Sequence, residues 1–175
     1  MMQYLLVGLG NPGNKYANTR HNVGFLAADY FASRIRASNF EPKFDSLFSH
    51  ASYNDKKIYL VKPQTFMNLS GEAVSKAARF YKIPLENIIV LHDDIDVLFA
   101  KIKVKQGGGS AGHNGLKSID SILGNNYHRI RIGVGRPEDP RFDIADFVLS
   151  DFSKAEQKEL EFIFEEVTSK VLGML

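Results

Sequence analysis

The sequence predicts a single α/β domain, with a mixed and mostly parallel sheet between helix layers and an amphipathic helix at its C-terminal end. Three observations predict it. Short apolar runs alternate with segments of helical periodicity along the whole chain, the pattern of strands joined by helices. At 175 residues the chain can bury one sizeable core but not two ordinary ones. No repeat, low-complexity tract or linker divides it, so the expected domain covers residues 1–175.

Each element follows from local pattern. Tyr4–Val7 is a short apolar run and reads as a buried strand. Val23–Ala37 carries apolar residues at helical spacing, with Asn22 placed as N-cap. Leu47–Tyr53 and Lys57–Val61 pair across the polar turn Asn54-Asp55-Lys56. Ser70–Lys82 is a second helix, stopped before Pro84. Ile88–Leu91 is an apolar strand, and Lys101–Lys105 alternates charged with apolar residues. Gly115–Leu123 is a short helix ended by Gly124, and Ile130–Val134 is a strand in a basic frame. Ser153–Met174 reads as one long amphipathic helix with Leu160, Phe164, Val167 and Val171 on one stripe.

Composition excludes some chemistry. The chain has no cysteine, so disulfides, thiolate metal sites and a cysteine nucleophile are ruled out. No apolar run is long enough to span a membrane, and Met1–Gly8 lacks the basic region of a signal peptide. The expectation is a cytoplasmic protein without a membrane partner. Net charge is +2, but unevenly spread: three of 22 Lys/Arg and six of 20 Asp/Glu lie after Ser150, leaving +5 on the first 150 residues. That balance is compatible with a polyanionic partner and is weak evidence alone.

In open α/β sheets ligand sites gather beyond the carboxyl ends of the strands. Four expected ends carry polar residues: Asn11 to His21, Asn68, Asp93, and His113-Asn114. Four such clusters imply one shared site. His21 is suited to accept a proton near neutrality, though it could equally be a surface or helix-entry residue. An acidic residue of His92-Asp93-Asp94-Ile95-Asp96 could orient an imidazole; turn capping or a Mg²⁺ site are the other readings of that run. Asn11, Asn68 and Asn114 each offer a donor and an acceptor, fit to hold a peptide backbone or an oxyanion, and each is also an ordinary turn residue.

Two further motifs bear on ligands. Gly8-Leu9-Gly10-Asn11-Pro12-Gly13 satisfies a dinucleotide-binding spacing, but the polar stretch behind it holds no helix to receive a pyrophosphate. Lys101-Ile102-Lys103-Val104-Lys105 sets three lysines on one strand face before Gly107-Gly108-Gly109, where phosphates could be met, or where a strand is merely solvated. No GxSxG elbow supports a serine hydrolase.

These strings together resemble the bacterial peptidyl-tRNA hydrolase family over nearly the whole chain. The resemblance is carried by Gly8–Gly13 with Tyr16, Thr19–Gly24, Lys62–Gly71, His92–Asp94, Gly107–Leu116, Arg129–Pro137 and Phe147–Leu149. It implies hydrolysis of the ester joining a peptide to tRNA, by a monomer with no metal or organic cofactor, on a twisted mixed sheet. It implies His21 as the base that deprotonates water, Asp93 as its orienting partner, and Asn11, Asn68 and Asn114 on the peptide end and the water or oxyanion. Tyr16, Met67 and His113 would line the cleft, and Lys103, Lys105 and Arg131 would meet tRNA phosphates. The other readings are an RNA-binding relative without catalysis and a nucleotide-binding enzyme using Gly8–Gly13. The chain departs from the family pattern after Asp96, where Val97-Leu98 and Ala100 replace a leucine-proline pair and a glycine. Lys103 stands where arginine is common, which keeps the charge and loses the bidentate fork.

Overall fold

The computed structural model describes all 175 residues, and its seven strands join in one sheet. The strands are β1 Gln3–Gly8, β2 Glu41–Lys43, β3 Ser46–Tyr53, β4 Lys56–Pro63, β5 Ile88–Asp94, β6 Ile102–Gln106 and β7 His128–Gly133. Their order across the sheet is β2-β3-β4-β1-β5-β7-β6. The central four are mutually parallel, while β2 and β3 at one edge and β6 at the other pair antiparallel. The helices are α1 Val23–Arg34, α2 Ser70–Phe80, α3 Asn114–Leu123, α4 Ile144–Val148, α5 Lys154–Gln157 and α6 Leu160–Met174.

Strand alternation divides the core between two faces. Leu6, Leu60, Ile89, Leu91, Ile130 and Ile132 pack with α1 and α6 on one side. Leu5, Val7, Val61, Ile88 and Val90 pack with α2 and α3 on the other. The central strands are therefore apolar on both faces, as parallel strands covered by helices must be. Phe31 of α1 is fully buried in the first cluster, and truncation to alanine there would cost about 3–5 kcal/mol. α1 lies close on β1: a Cβ on Gly8 would stand 2.4 Å from Gly24 O, and one on Gly24 2.4 Å from Leu91 O. These glycines are required by packing.

The structure redraws several boundaries. α1 ends at Arg34, three residues short of the expectation, and Asn22 sits at the N-cap position without capping. Its amide instead accepts from Asn11 N at 2.8 Å and donates to Asn11 O at 2.9 Å. The helix expected over Ser153–Met174 is two pieces, α5 and α6. Ser153 and Glu156 close a capping box, and the Glu159 N–H turns back to Glu156 O, an i→i+3 bond that breaks the helical ladder. The short β2 and α4 were not expected from the sequence. Ala100, where the family pattern has glycine, takes φ +70°, a left-handed conformation that costs an alanine about 1–2 kcal/mol.

Candidate active site

A cavity of about 600 Å³ opens at the carboxyl ends of the central strands. Its floor is the end of β5. Asp93 is 3% exposed, and both of its oxygens are taken by imidazoles. Oδ2 meets His21 Nδ1 at 2.8 Å and Oδ1 meets His113 Nε2 at 2.8 Å. His21 comes from a 3₁₀ turn, Arg20–Asn22, between β1 and α1. With Nδ1 facing the carboxylate, His21 Nε2 is left without a partner in a residue that borders the cavity.

Charge follows from this geometry. Burial works against a charged His21, but the Asp93 carboxylate and its hydrogen bond outweigh it, and the His21 pKa is raised above 6.5. Burial likewise opposes ionisation of Asp93. The two imidazoles prevail there, and its pKa lies well below the carboxylate range. His92, next in the strand and 2% exposed, is lowered to about 4 by burial and by nearby His113, so it is neutral. Its Nδ1 is 2.8 Å from Asp93 O, and its Nε2 has no partner in the protein.

The asparagines surround this group. Asn11 is buried; its Oδ1 accepts from Met67 N at 2.9 Å, which turns the amide so that Nδ2 stays an uncommitted donor. Asn68, in the 3₁₀ turn Met67–Leu69, and Asn114, the first residue of α3, are exposed lining residues whose side chains bond to no protein group. Gly115 lets Met67 close in, since a Cβ there would stand 2.7 Å from its sulfur.

The structure thus brings His21, Asp93, Asn11, Asn68, Asn114, Met67 and His113 to one cavity. Tyr16 stands outside it, half-buried, with its carbonyl accepting from Thr19. The acidic run does not converge on a cation: Asp94 pairs with Arg131 at 2.8 Å and Asp96 with Arg136 at 2.6 Å. His21, Asp93 and His113 do place three potential ligand atoms within 4.8 Å of one another, but these atoms are already hydrogen-bonded among themselves.

The route to His113 differs from the one expected. β6 is antiparallel, so its carboxyl end lies beside His128, at the far end of the sheet. The glycine loop carries the chain back, and Arg129 holds it there. That guanidinium, 2% exposed, donates to Gly108 O and Gly109 O and stacks on Tyr127. The basic edge is mixed in consequence. Lys103 and Lys105 are exposed opposite Arg131 and Arg129, Arg131 is tied to Asp94 of the cavity, and Arg129 is structural.

The family model described as peptidyl-tRNA hydrolase matches residues 5–175. The chain belongs to the peptidyl-tRNA hydrolase family. A peptidyl-tRNA hydrolase of Rickettsia bellii (strain RML369-C) is 52% identical over 165 residues, covering 94% of this chain and 89% of that one. The Wolbachia pipientis wMel peptidyl-tRNA hydrolase is 55% identical over 150 residues, covering 86% and 82%. Among solved structures, the peptidyl-tRNA hydrolase of Acinetobacter baumannii superposes with a TM-score of 0.90 at 35% identity, covering 98% of this chain and 88% of that one.

Two groups at or beside the site were given no role by the sequence reading, although Arg20, Phe66, Val148 and Leu149 lie in strings that carry the resemblance. Ile144, Ala145 and Val148 of α4 and Leu149 at its end line the cavity, as does Phe66. Asp143 caps α4 through the Ala145 and Asp146 N–H groups, and this cap followed by apolar residues four apart was the available signal. Arg20 is the second group. Its guanidinium bonds Ser150 Oγ at 2.6 Å, Asp151 O at 3.0 Å and Glu156 at 2.7 Å, and lies 4.2 Å from the Phe147 ring centre. It fastens the His21 turn to the segment that carries α4.

Proposed function

We propose that this chain hydrolyses the ester between the peptide and the tRNA of peptidyl-tRNA, with His21 as general base. The observation that carries the reading is the His21–Asp93 pair, with His21 Nε2 uncommitted at a cavity bordered by three asparagines in a chain of this family. Asp93 accepts the Nδ1 proton and so holds the imidazole with its Nε2 lone pair free. His21 Nε2 takes a proton from water as the oxygen attacks the ester carbonyl. Amide N–H groups of Asn11 and of Asn68 or Asn114 receive the oxyanion. When the tetrahedral intermediate collapses, the bond to the ribose oxygen breaks and His21 returns the proton to that oxygen. The products are free tRNA and a peptide carboxylate. A positioned base supplies roughly 10²–10⁴-fold and one oxyanion donor on the order of 3 kcal/mol, so an activated ester needs no cofactor.

Lys103, Lys105 and Arg131 serve tRNA phosphates on this reading, and the apolar residues of α4 together with Phe66 receive the peptide. Every catalytic group comes from one chain, so a monomer suffices, and translation places the work in the cytoplasm. The test is hydrolysis of N-acetyl-aminoacyl-tRNA by wild type and His21→Ala, with tRNA binding measured on both. The expected result is release of tRNA by wild type and a loss of about 10³-fold or more in the variant, with binding retained. Well-folded wild type that binds tRNA without cleaving the ester would make this an RNA-binding relative.

A further inference from the structure

His113 borders the cavity, and the resemblance would make it a substrate contact. Its hydrogen bonds say otherwise. Nδ1 accepts from two backbone donors at the start of α3, Gly115 N at 3.1 Å and Leu116 N at 3.3 Å. A nitrogen that receives N–H groups must offer a lone pair, so the proton sits on Nε2. Nε2 in turn is 2.8 Å from Asp93 Oδ1. Both ring nitrogens are therefore spent inside the protein, and the side chain is only 10% exposed. Neither nitrogen is free to trade a proton with substrate.

We propose that His113 is a positioning residue, locked as the Nε2–H tautomer by the amino end of α3, which pins Asp93 and limits how strongly that carboxylate holds the His21 proton. The consequence follows from sharing one anion between two donors. A carboxylate that already accepts from His113 exerts a weaker pull on a protonated His21 than one that accepts from His21 alone. His21 must be neutral to act as base, so this tempering keeps more of it in the working form. Fixing Oδ1 also fixes Oδ2, and with it the His21 tautomer. The other charged and titratable groups around the pair are His92 on β5, Arg131 paired with Asp94, Arg136 paired with Asp96, and Arg20 paired with Glu156 beside the His21 turn. None of them supplies a second donor to Asp93 Oδ1.

This inference rests on the proposed function for its kinetic consequence but not for its structural one. The structural test is ¹⁵N-edited NMR of the imidazoles in free wild-type protein at neutral to mildly alkaline pH, which needs no substrate. The expected spectrum has His113 with the proton on Nε2 and neutral His21 with the proton on Nδ1; His113 with its proton on Nδ1 would overturn the proposal. The kinetic test uses two variants. His113→Asn keeps a cap oxygen for the α3 N–H groups and loses the reach to Asp93. His113→Gln places an amide N–H near the Nε2 position and gives up the cap. The expected result is that Asn moves the acid limb of the kcat/KM profile alkaline by about one pH unit, a tenfold loss on that limb, with KM little changed. Gln keeps the wild-type profile with a lower melting temperature. Raised KM in both variants with an unmoved profile would make His113 a substrate contact and overturn the positioning role. Absent hydrolysis by wild type would defeat the proposed function while leaving the NMR result standing.

Discussion

The floor and the wall of the cavity are built differently. On the floor, Asn11, His92 and Asp93 are buried at or just beyond the ends of β1 and β5, and His21 is nearly so; backbone or buried partners orient each one. On the wall, the five residues of α4 include none that is buried, and Phe66, which also lines the cavity, is 60% exposed. On the proposed reading, the base and the carboxylate that orients it, which must be placed to within a few tenths of an ångström, stand at the end of β5 and in the buried turn between β1 and α1, where movement would disturb the core. Groups that need only enclose a varying peptide stand on a short capped helix and turns, where movement is cheap.

The sharpest way to break this contrast is Asp93→Asn. An asparagine in that place can offer N–H to His21 Nδ1 and so reverse its tautomer, putting a proton where the base needs a lone pair. The expected loss in kcat is about 10²–10⁴-fold, the largest outside His21 itself. The residual activity carries a second signature. In wild type the raised His21 pKa means that activity climbs with pH through a midpoint above 6.5. Without the Asp93 charge only burial remains to act on His21, and burial favours the neutral ring, so the midpoint moves to the acid side. A pH series of initial rates on both proteins checks it, and an unmoved midpoint would mean that Asp93 does not set the His21 charge.

On the wall the expected pattern is the reverse. Ile144→Ser with Val148→Ser removes two apolar side chains that border the cavity without touching the His21–Asp93 pair. Partial burial of two such groups against a peptide is worth about 1–2 kcal/mol, so KM should rise roughly tenfold with kcat within about threefold. Steady-state kinetics on a peptidyl-tRNA and on an N-acetyl-aminoacyl-tRNA checks it, the longer peptide losing more. A fall in kcat with unchanged KM would show that α4 acts on the chemistry, through the Arg20 clamp at Phe147.

The same contrast explains what was legible in the sequence. The floor was readable because its residues sit at the ends of apolar runs, where a polar side chain has no packing reason to be. Asn11 after Tyr4–Val7 and Asp93 after Ile88–Leu91 announce themselves in this way. The wall was not, because α4 is five residues long and too short for periodicity to separate it from a loop. β2 is three residues of edge strand and equally silent. His113 was expected at the cavity for a reason that fails, since β6 runs antiparallel and ends at the far side; strand direction is set by pairing, which a local pattern does not encode. Arg129 and Arg131 look alike in an alternating strand, yet one is sealed under the glycine loop and the other faces Asp94. Only the loop's return path separates them.

The basic edge offers the smallest expected effect, and one that separates encounter from chemistry. Lys103 and Lys105 are exposed on β6, next to the cavity only through Arg131 and Asp94. Exposed lysines that meet phosphates contribute through released counterions, so their share shrinks as salt rises. Lys103→Ala with Lys105→Ala should raise KM for a tRNA substrate by roughly tenfold at low ionic strength and leave kcat unchanged. The dependence of log KM on log salt should become shallower by about one unit for each phosphate no longer neutralised. The same ester carried on a mononucleoside should be cleaved by both proteins alike. An equal loss on that small substrate would place the lysines in the reaction itself and would erase the division between a rigid floor that does chemistry and the surfaces that select its substrate.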